Sequence, residues 1–152
     1  MRTFCGIYLA ALLLAVSLPA ADKTPTDLET VKAERDLERR SGLALEFARR
    51  TVERVVEAYR AGDAERGIEL LQQIQEAVEL SQESLQATGK NASKKPKHFK
   101  KAEIETRRLL RDFDGARKAL NYDQREDLDA VAERISEINR ELLMSIMTKR
   151  DE

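Results

Sequence analysis

The chain contains little of what most metal and catalytic sites require. Its 152 residues include one cysteine, one histidine and no tryptophan. Zinc sites draw on clusters of cysteine and histidine, so no metal centre is expected from Cys5 and His98 alone. The sequence also has no G-x-S-x-G nucleophile motif and no glycine-rich phosphate loop. We therefore predict a protein that is not an enzyme and holds no metal or cofactor. An unrecognised site built from its plentiful carboxylates stays open as an alternative.

Aromatic residues and excess positive charge are scarce as well. Aromatics make up 5% of the chain, and the formal net charge is −1. Strong nucleic-acid binders are usually basic overall, and single-stranded nucleic acid is bound by stacking its bases on aromatic side chains. The aromatics nearest the basic part of the chain are Phe99, which belongs to an apolar stripe, and Tyr122. Nucleic acid is therefore not an expected partner.

Long apolar runs are absent except at the beginning of the chain. Arg2 precedes an apolar run over residues 4–18, which small residues follow at Pro19-Ala20-Ala21. This layout is typical of a secretory signal peptide, which we place at residues 1–20. The run is shorter than the ~20 residues of a membrane span, although retention as an anchor stays open. The prediction is an exported protein, periplasmic or extracellular in a bacterium, with no stable transmembrane segment once the leader is removed.

The rest of the chain has the spacing of amphipathic helices, with no candidate strand. Apolar residues recur every three or four positions over four segments that are separated by short turns. Gly62-Asp63 suits the end of one helix and the start of the next, Pro96 suits a first turn, and Asp123 with Glu126 is a capping pattern. We predict an all-α protein with an antiparallel four-helix bundle of two αα-hairpins over residues 41–152.

The first helix is predicted to be longer than the others. Thr26 with Glu29 is a capping-box pattern, and the helix then continues to about Ala61, with Ser41-Gly42 as a candidate break. At 1.5 Å per residue it would measure ~54 Å, against roughly 35–38 Å for the rest. The polar segment 21–40 is therefore expected to project beyond the bundle or to fold as a separate short helix. Its possible face for a partner helix consists of Leu28, Val31 and Leu37.

One turn resembles that of a known repeat family. The stretch AYRAGDAERGIELL, residues 58–71, is similar to the inter-helix turn of tetratricopeptide repeats. The resemblance covers little more than this turn, and no second copy follows at the expected period. We interpret the stretch as a tight αα-hairpin of general type. The matching positions are Tyr59, Gly62, Asp63 and Ile68.

Charge is distributed unevenly along the chain. Residues 61–83 carry six acidic residues and one basic residue, whereas residues 84–111 carry two acidic and nine basic residues. On a helix, residues 97, 101, 108 and 111 lie broadly together. The favoured interpretation is that these cations balance the neighbouring acidic helix, and the alternative is a binding site for an anionic partner. The candidate site, here called the basic segment, consists of Lys94, Lys95, Lys97, Lys100, Lys101, Arg107, Arg108 and Arg111.

These observations predict a non-catalytic exported protein that binds another macromolecule. The first hypothesis is a protein-interaction or scaffold role in the cell envelope, through the Leu28 face or by self-association through the apolar end of the last helix, Leu142 to Met147. The second is a surface binder that uses the basic segment on anionic lipid or cell-wall polymer. Salt separates the two, because charge-driven contacts weaken as ionic strength rises.

Overall fold

The computed structural model describes residues 27–148, and this part of the chain folds into helices and turns without a strand. The predicted all-α class is confirmed, and the helices pack in pairs to form a bundle. The predicted signal peptide, residues 1–20, lies outside the described residues. The helices are α1 (Leu28–Lys32), α2 (Leu37–Arg60), α3 (Ala64–Ala87), α4 (Lys97–Ala119) and α5 (Tyr122–Met147).

The predicted long first helix is divided into α1 and α2. The Asp27 carboxylate accepts the Thr30 N–H at 2.7 Å and starts α1, and Asp36 accepts the Arg39 N–H at 2.9 Å and starts α2. Each carboxylate satisfies a backbone donor that has no partner within its helix. The break therefore lies at residues 33–36, not at Ser41-Gly42, which is inside α2. Of the two alternatives, the separate short helix is the one observed.

Helix α1 does not project from the bundle. Leu28 is 7% exposed and Val31 is fully buried, because α1 packs back against α2 and α3. Lys32 of α1 reaches Glu76 of α3 at 2.7 Å and holds α1 in this position. Of the predicted partner face of Leu28, Val31 and Leu37, the first two side chains thus lie in the protein's own core. Leu37 is half-buried.

The hairpin of α2 and α3 closes through a three-residue turn. Gly62 has φ +79°, which favours glycine, and Asp63 caps α3 as predicted, since its carboxylate accepts the Arg66 N–H at 3.0 Å. Helix α3 packs closely on α2 at Gly67, where an added Cβ would lie 2.7 Å from the Tyr59 ring. Ile68, a resemblance position, is 39% exposed.

The hairpin of α4 and α5 closes through Leu120 and Asn121. Asn121 and Gln124 form a capping box at the start of α5, two residues before the predicted pair Asp123 and Glu126. Along the hairpin, the Asn139 amide donates to Thr106 Oγ1 at 2.7 Å. Each hairpin is therefore fixed by specific side-chain bonds as well as by apolar packing.

The two hairpins stack with α2 beside α4 and α3 beside α5. Glu38 and Arg49 of α2 contact His98 and Asp112 of α4, in the same order along both helices, so α2 and α4 run parallel. Ser41 of α2 meets Ser81, near the end of α3, so the helices within this hairpin run antiparallel. Consequently both tight turns lie at one end of the bundle, here called the turn end, and the connection between α3 and α4 lies at the other, the loop end.

Candidate binding surface

The connection between α3 and α4 is an ordered turn at residues 88–96. The Asn91 side-chain oxygen accepts the N–H groups of Ser93 at 2.9 Å and Lys94 at 3.2 Å. Ala92 is buried in the core and anchors the connection to it. Lys94 and Lys95 are therefore presented from a defined turn, because asparagine bonds its own following backbone in this way.

The start of α4 departs from the electrostatic pattern of a stable helix. Pro96 occupies the N-cap position without a side-chain hydrogen bond, and the first turn contains no acidic residue. Lys97, Lys100 and Lys101 follow within the first turn and a half. Positive charge near a helix N-terminus is unfavourable, typically by ~0.3–1 kcal/mol for each group. Local helix stability therefore does not explain why lysines occupy these positions.

Six cations of the basic segment form a single line along α4. At 100° per residue they fall within about 120° of the helix circumference, opposite the buried Phe99, Leu109 and Phe113. All six are exposed, and so are Lys94 and Lys95 in the preceding turn. The line is ~21 Å long at 1.5 Å per residue. This basic stripe consists of Lys97, Lys100, Lys101, Arg107, Arg108 and Arg111.

Most of the basic segment has no acidic partner among the residues that the structure describes. Arg107 pairs with Glu103 at 3.2 Å and Arg108 with Glu105 at 2.6 Å, both within α4. For five other cations, no carboxylate of residues 27–148 lies within ion-pair distance. These five are Lys95, Lys97, Lys100, Lys101 and Arg111.

The acidic residues of α3 take their partners from elsewhere. Glu69 pairs with Arg66 in α3 itself at 2.8 Å, and Glu76 pairs with Lys32 of α1. Glu79 pairs with Arg134 of α5 at 2.9 Å. The sequence favoured the interpretation that the lysines balance the acidic charge of α3. In the described part of the chain no ion pair joins these lysines to α3, because α4 lies beside α2 and α5 instead.

Carboxylates border the basic stripe on both sides. On the side toward α2, the Arg49 guanidinium forms ion pairs with Glu105 and Asp112, at 3.4 and 3.0 Å. The hydrogen bond that Arg49 donates to Asp112 raises the pKa of Arg49. On the other side lie Glu103 and the exposed Asp114. The sequence offered no signal for Arg49, because its two partners are more than 50 positions away.

A groove of about 1080 Å³ runs between α2 and α4, next to the basic stripe. Small residues, Gly42, Gly115 and Ala119, are part of its lining, and Lys101, Arg108 and Arg111 border it. Its two α4 carboxylates, Glu105 and Asp112, are those paired with Arg49. The groove thus has charged walls, and its α4 carboxylates are paired with Arg49.

His98, the single histidine, contacts one acidic side chain. Its Nε2 lies 3.3 Å from the Glu38 carboxylate, which also accepts a hydrogen bond from Lys90 at 2.6 Å. The Lys90 ammonium, followed by the His98 charge, lowers the pKa of Glu38. Among residues 27–148, no three His, Cys, Asp or Glu side chains are grouped so as to hold a metal ion.

The end of α5 exposes an apolar surface. Leu143, Met144 and Met147 are 42%, 57% and 69% exposed, whereas Leu142 at the same end is buried. The self-association surface predicted at Leu142 to Met147 is therefore available only through its outward members. Within the described residues, every helix is too short or too polar to cross a membrane.

No model of a known protein family matches the chain, and no significant similarity was found to a curated protein sequence or to a solved structure.

Proposed function

We propose that the chain is an exported, non-catalytic binding protein of a bacterial cell envelope, with residues 1–20 as its signal peptide. It binds another macromolecule through the basic segment. Residues 27–148 present this segment from an antiparallel pair of helices, α4 and α5, stacked on a second pair. The leader, its short apolar run and the absence of cysteine after Cys5 support the proposal from the sequence.

The observation that carries the proposal is that five cations of the basic segment, Lys95, Lys97, Lys100, Lys101 and Arg111, have no acidic partner among residues 27–148. Ion pairs engage the acidic side chains Glu76, Glu79 and Glu105 with bases other than the five unpaired cations. Clustered like charges repel one another, and an external anion relieves that repulsion. An anionic partner therefore gains favourable contacts without first breaking an ion pair of the protein.

A pull-down from envelope extract tests this function at low and high salt. We expect a partner to be retained at low salt and to be released as ionic strength rises, because exposed charge contacts are screened. The test variant changes Lys94, Lys95, Lys97, Lys100 and Lys101 to glutamate. The matched control reverses five exposed cations elsewhere, Arg35, Arg54, Arg60, Lys118 and Arg140, for the same change in net charge.

The two variants distinguish a specific surface from general electrostatic attraction. Loss of the partner with the lysine variant but not with the control supports the basic segment as the site. Equal loss with both variants contradicts it. Retention of nothing by the unmodified chain at either salt contradicts a macromolecule-binding function in the envelope altogether.

A second candidate function is self-association through the end of α5, which the exposure of Leu143, Met144 and Met147 favours. Exposed apolar side chains that lie together commonly mark interaction sites. Sedimentation equilibrium should then show a dimer that persists at high salt and dissociates in the Met144→Glu, Met147→Glu variant. A monomer at all concentrations contradicts this candidate.

A further inference from the structure

The shape of the basic stripe distinguishes between the anionic partners that its charge alone permits. We propose that the stripe binds a single linear polyanion, a chain that carries a phosphate or carboxylate group on each repeat unit, laid along α4. This inference rests on the proposed function, because it specifies the partner of the same surface.

The first argument is the geometry of the stripe. Six exposed cations follow one helix over ~21 Å, so their mean spacing along the axis is about 4 Å. A linear polymer with regularly repeated charges can contact several of them at once, and each contact releases a condensed counterion from the polymer. A small free anion can meet only one or two of these side chains.

The second argument is the width of the stripe. The stripe covers about a third of the circumference of α4. Carboxylates lie along both of its borders, with Glu105 and Asp112 on one side and Asp114 on the other. The α2 side of the adjacent groove adds Glu46, Glu53 and Glu57. An extended anionic surface would face these carboxylates, whereas a single polymer chain remains between them.

The third argument is that α4 has no apolar face to insert into a membrane. Helices that lie in a membrane interface bury their apolar side among the lipids. Here Phe99, Leu109 and Phe113 are 6% exposed or less, because α4 directs them into the protein core. Ile104, at 39% exposure, is the one large apolar side chain within the described stripe face. Lipid headgroups could therefore contact the charges of the stripe, but no apolar side of α4 would be buried among the lipids to add to the affinity.

The fourth argument concerns nucleic acid, which is also a linear polyanion. Base stacking requires exposed aromatic rings beside the cations. Phe99 is buried, and Tyr122, which is 85% exposed, lies at the turn end, beyond the far end of the stripe. The stripe is thus equipped for contacts to charged groups of a polymer backbone and not for contacts to bases.

The binding experiment uses the protein as processed in its own cells and measures affinity by isothermal titration calorimetry. The probes are inorganic polyphosphate chains of graded length and oligogalacturonates of graded length, which separate phosphate from carboxylate polymers. Inorganic phosphate and galacturonic acid serve as monomer controls, and vesicles with 30% anionic phospholipid serve as the membrane probe. We expect affinity for at least one polymer to rise with chain length until the polymer spans ~21 Å, and to level off beyond.

Salt dependence counts the contacts. Six contacts to a single-stranded polyanion give a slope of about −4 in a plot of log affinity against log salt, so affinity falls about 250-fold between 50 and 200 mM salt. The variant Lys97→Gln, Arg111→Gln removes the two ends of the stripe and should reduce the magnitude of the slope by about 1.4. The control Arg54→Gln, Arg140→Gln removes two exposed cations elsewhere and should leave the slope unchanged.

Three results would overturn the polyanion proposal. One is binding to vesicles but to neither polymer, and another is polymer binding that does not depend on length or on the stripe variant. The third is no polymer binding by a protein that still retains a discrete protein partner in the pull-down, which leaves the binding function in place with a different partner. Circular dichroism confirms that each glutamine variant is folded.

Discussion

The turn end of the bundle and the start of α4 at the loop end are built by different rules. At the turn end, α3 and α5 start with capping side chains, Asp63 and Asn121, and an acidic residue follows in the first turn of each. Tyr59 joins the hairpins there, because its hydroxyl donates to Asp127 of α5 at 3.2 Å. At the loop end, α4 starts without a side-chain cap and with lysines in place of acids.

This difference indicates where the molecule depends on its own contacts and where it depends on a partner. Polar side chains at the turn end form hydrogen bonds within the protein, so substitutions there should lower the stability of the fold. Lys97, Lys100 and Lys101 at the start of α4 oppose the helix dipole and have no acidic partner among residues 27–148, so substitutions there should affect binding more than stability. Natural proteins commonly lose some stability at a functional site in this way.

The largest effect is expected from alkaline pH at the turn end. Burial, followed by the Asp127 charge, raises the pKa of Tyr59 to about 12 from its ordinary value of 10.0. The unfolded chain therefore loses this proton first, and the stabilisation is complete below pH ~10 and is lost as pH rises toward ~12. The loss should amount to about 2–3 kcal/mol, since one pKa unit corresponds to ~1.4 kcal/mol. Urea unfolding between pH 9 and 12 measures this loss of stability. The stability of the Tyr59→Phe variant should depend less on pH over this range. Equal pH dependence of the two proteins would refute Tyr59 as the origin of the loss.

The next largest effect is expected from Gly67→Ala. The added methyl group would lie under 3 Å from the Tyr59 ring, which is 4% exposed and has little room to move. We expect a net loss of about 1–2 kcal/mol in urea unfolding, because overpacking outweighs the helix preference of alanine.

Gly115→Ala in α4 is the matched control for that substitution. No atom lies within 4 Å of the new Cβ, so the variant should gain roughly 0.5–1 kcal/mol. In a Tyr59→Leu background, the cost of Gly67→Ala should largely disappear, since the ring is absent. A cost that persists there would place its origin outside the contact with Tyr59.

A smaller effect is expected from Asp63→Ala. The substitution leaves the Arg66 N–H without its carboxylate acceptor at the start of α3 and should cost ~1 kcal/mol. Thermal unfolding monitored by circular dichroism measures it. Asp114→Ala removes an exposed carboxylate from the middle of α4 and should change stability by less than ~0.5 kcal/mol. Similar losses for both would show that net charge, not capping, is responsible.

The smallest effect has the opposite sign and belongs to the loop end. Lys97→Glu places an acidic residue in the first turn of α4, where it should stabilise the protein by ~0.5 kcal/mol. Lys118→Glu makes the same charge change in the last turn of that helix and should destabilise by a similar amount. Urea unfolding at low salt measures both. If Lys97→Glu also strengthens binding of the anionic partner, the comparison between the two ends is wrong.

Local patterns in the sequence were sufficient for most of the helices and for the candidate cations. Gly62-Asp63 and Pro96 mark the observed boundaries because the physics of helix ends acts over four residues. The same local reasoning misplaced the break between α1 and α2. Asp36 is as good an N-cap as Asp27, and Ser41-Gly42 is tolerated inside α2 because Ser41 is bonded to Ser81 of α3.

By itself, the sequence determined the helical class, the positions of the turns and the line of cations on one face of α4, since each depends on neighbours three or four residues apart. Only the tertiary structure decided which charges remain without partners. That outcome depends on α4 lying beside α2 rather than α3. It also depends on the ion pairs that Lys32 and Arg134 form with Glu76 and Glu79. Such contacts join residues more than 40 positions apart, and no local pattern encodes their pairing.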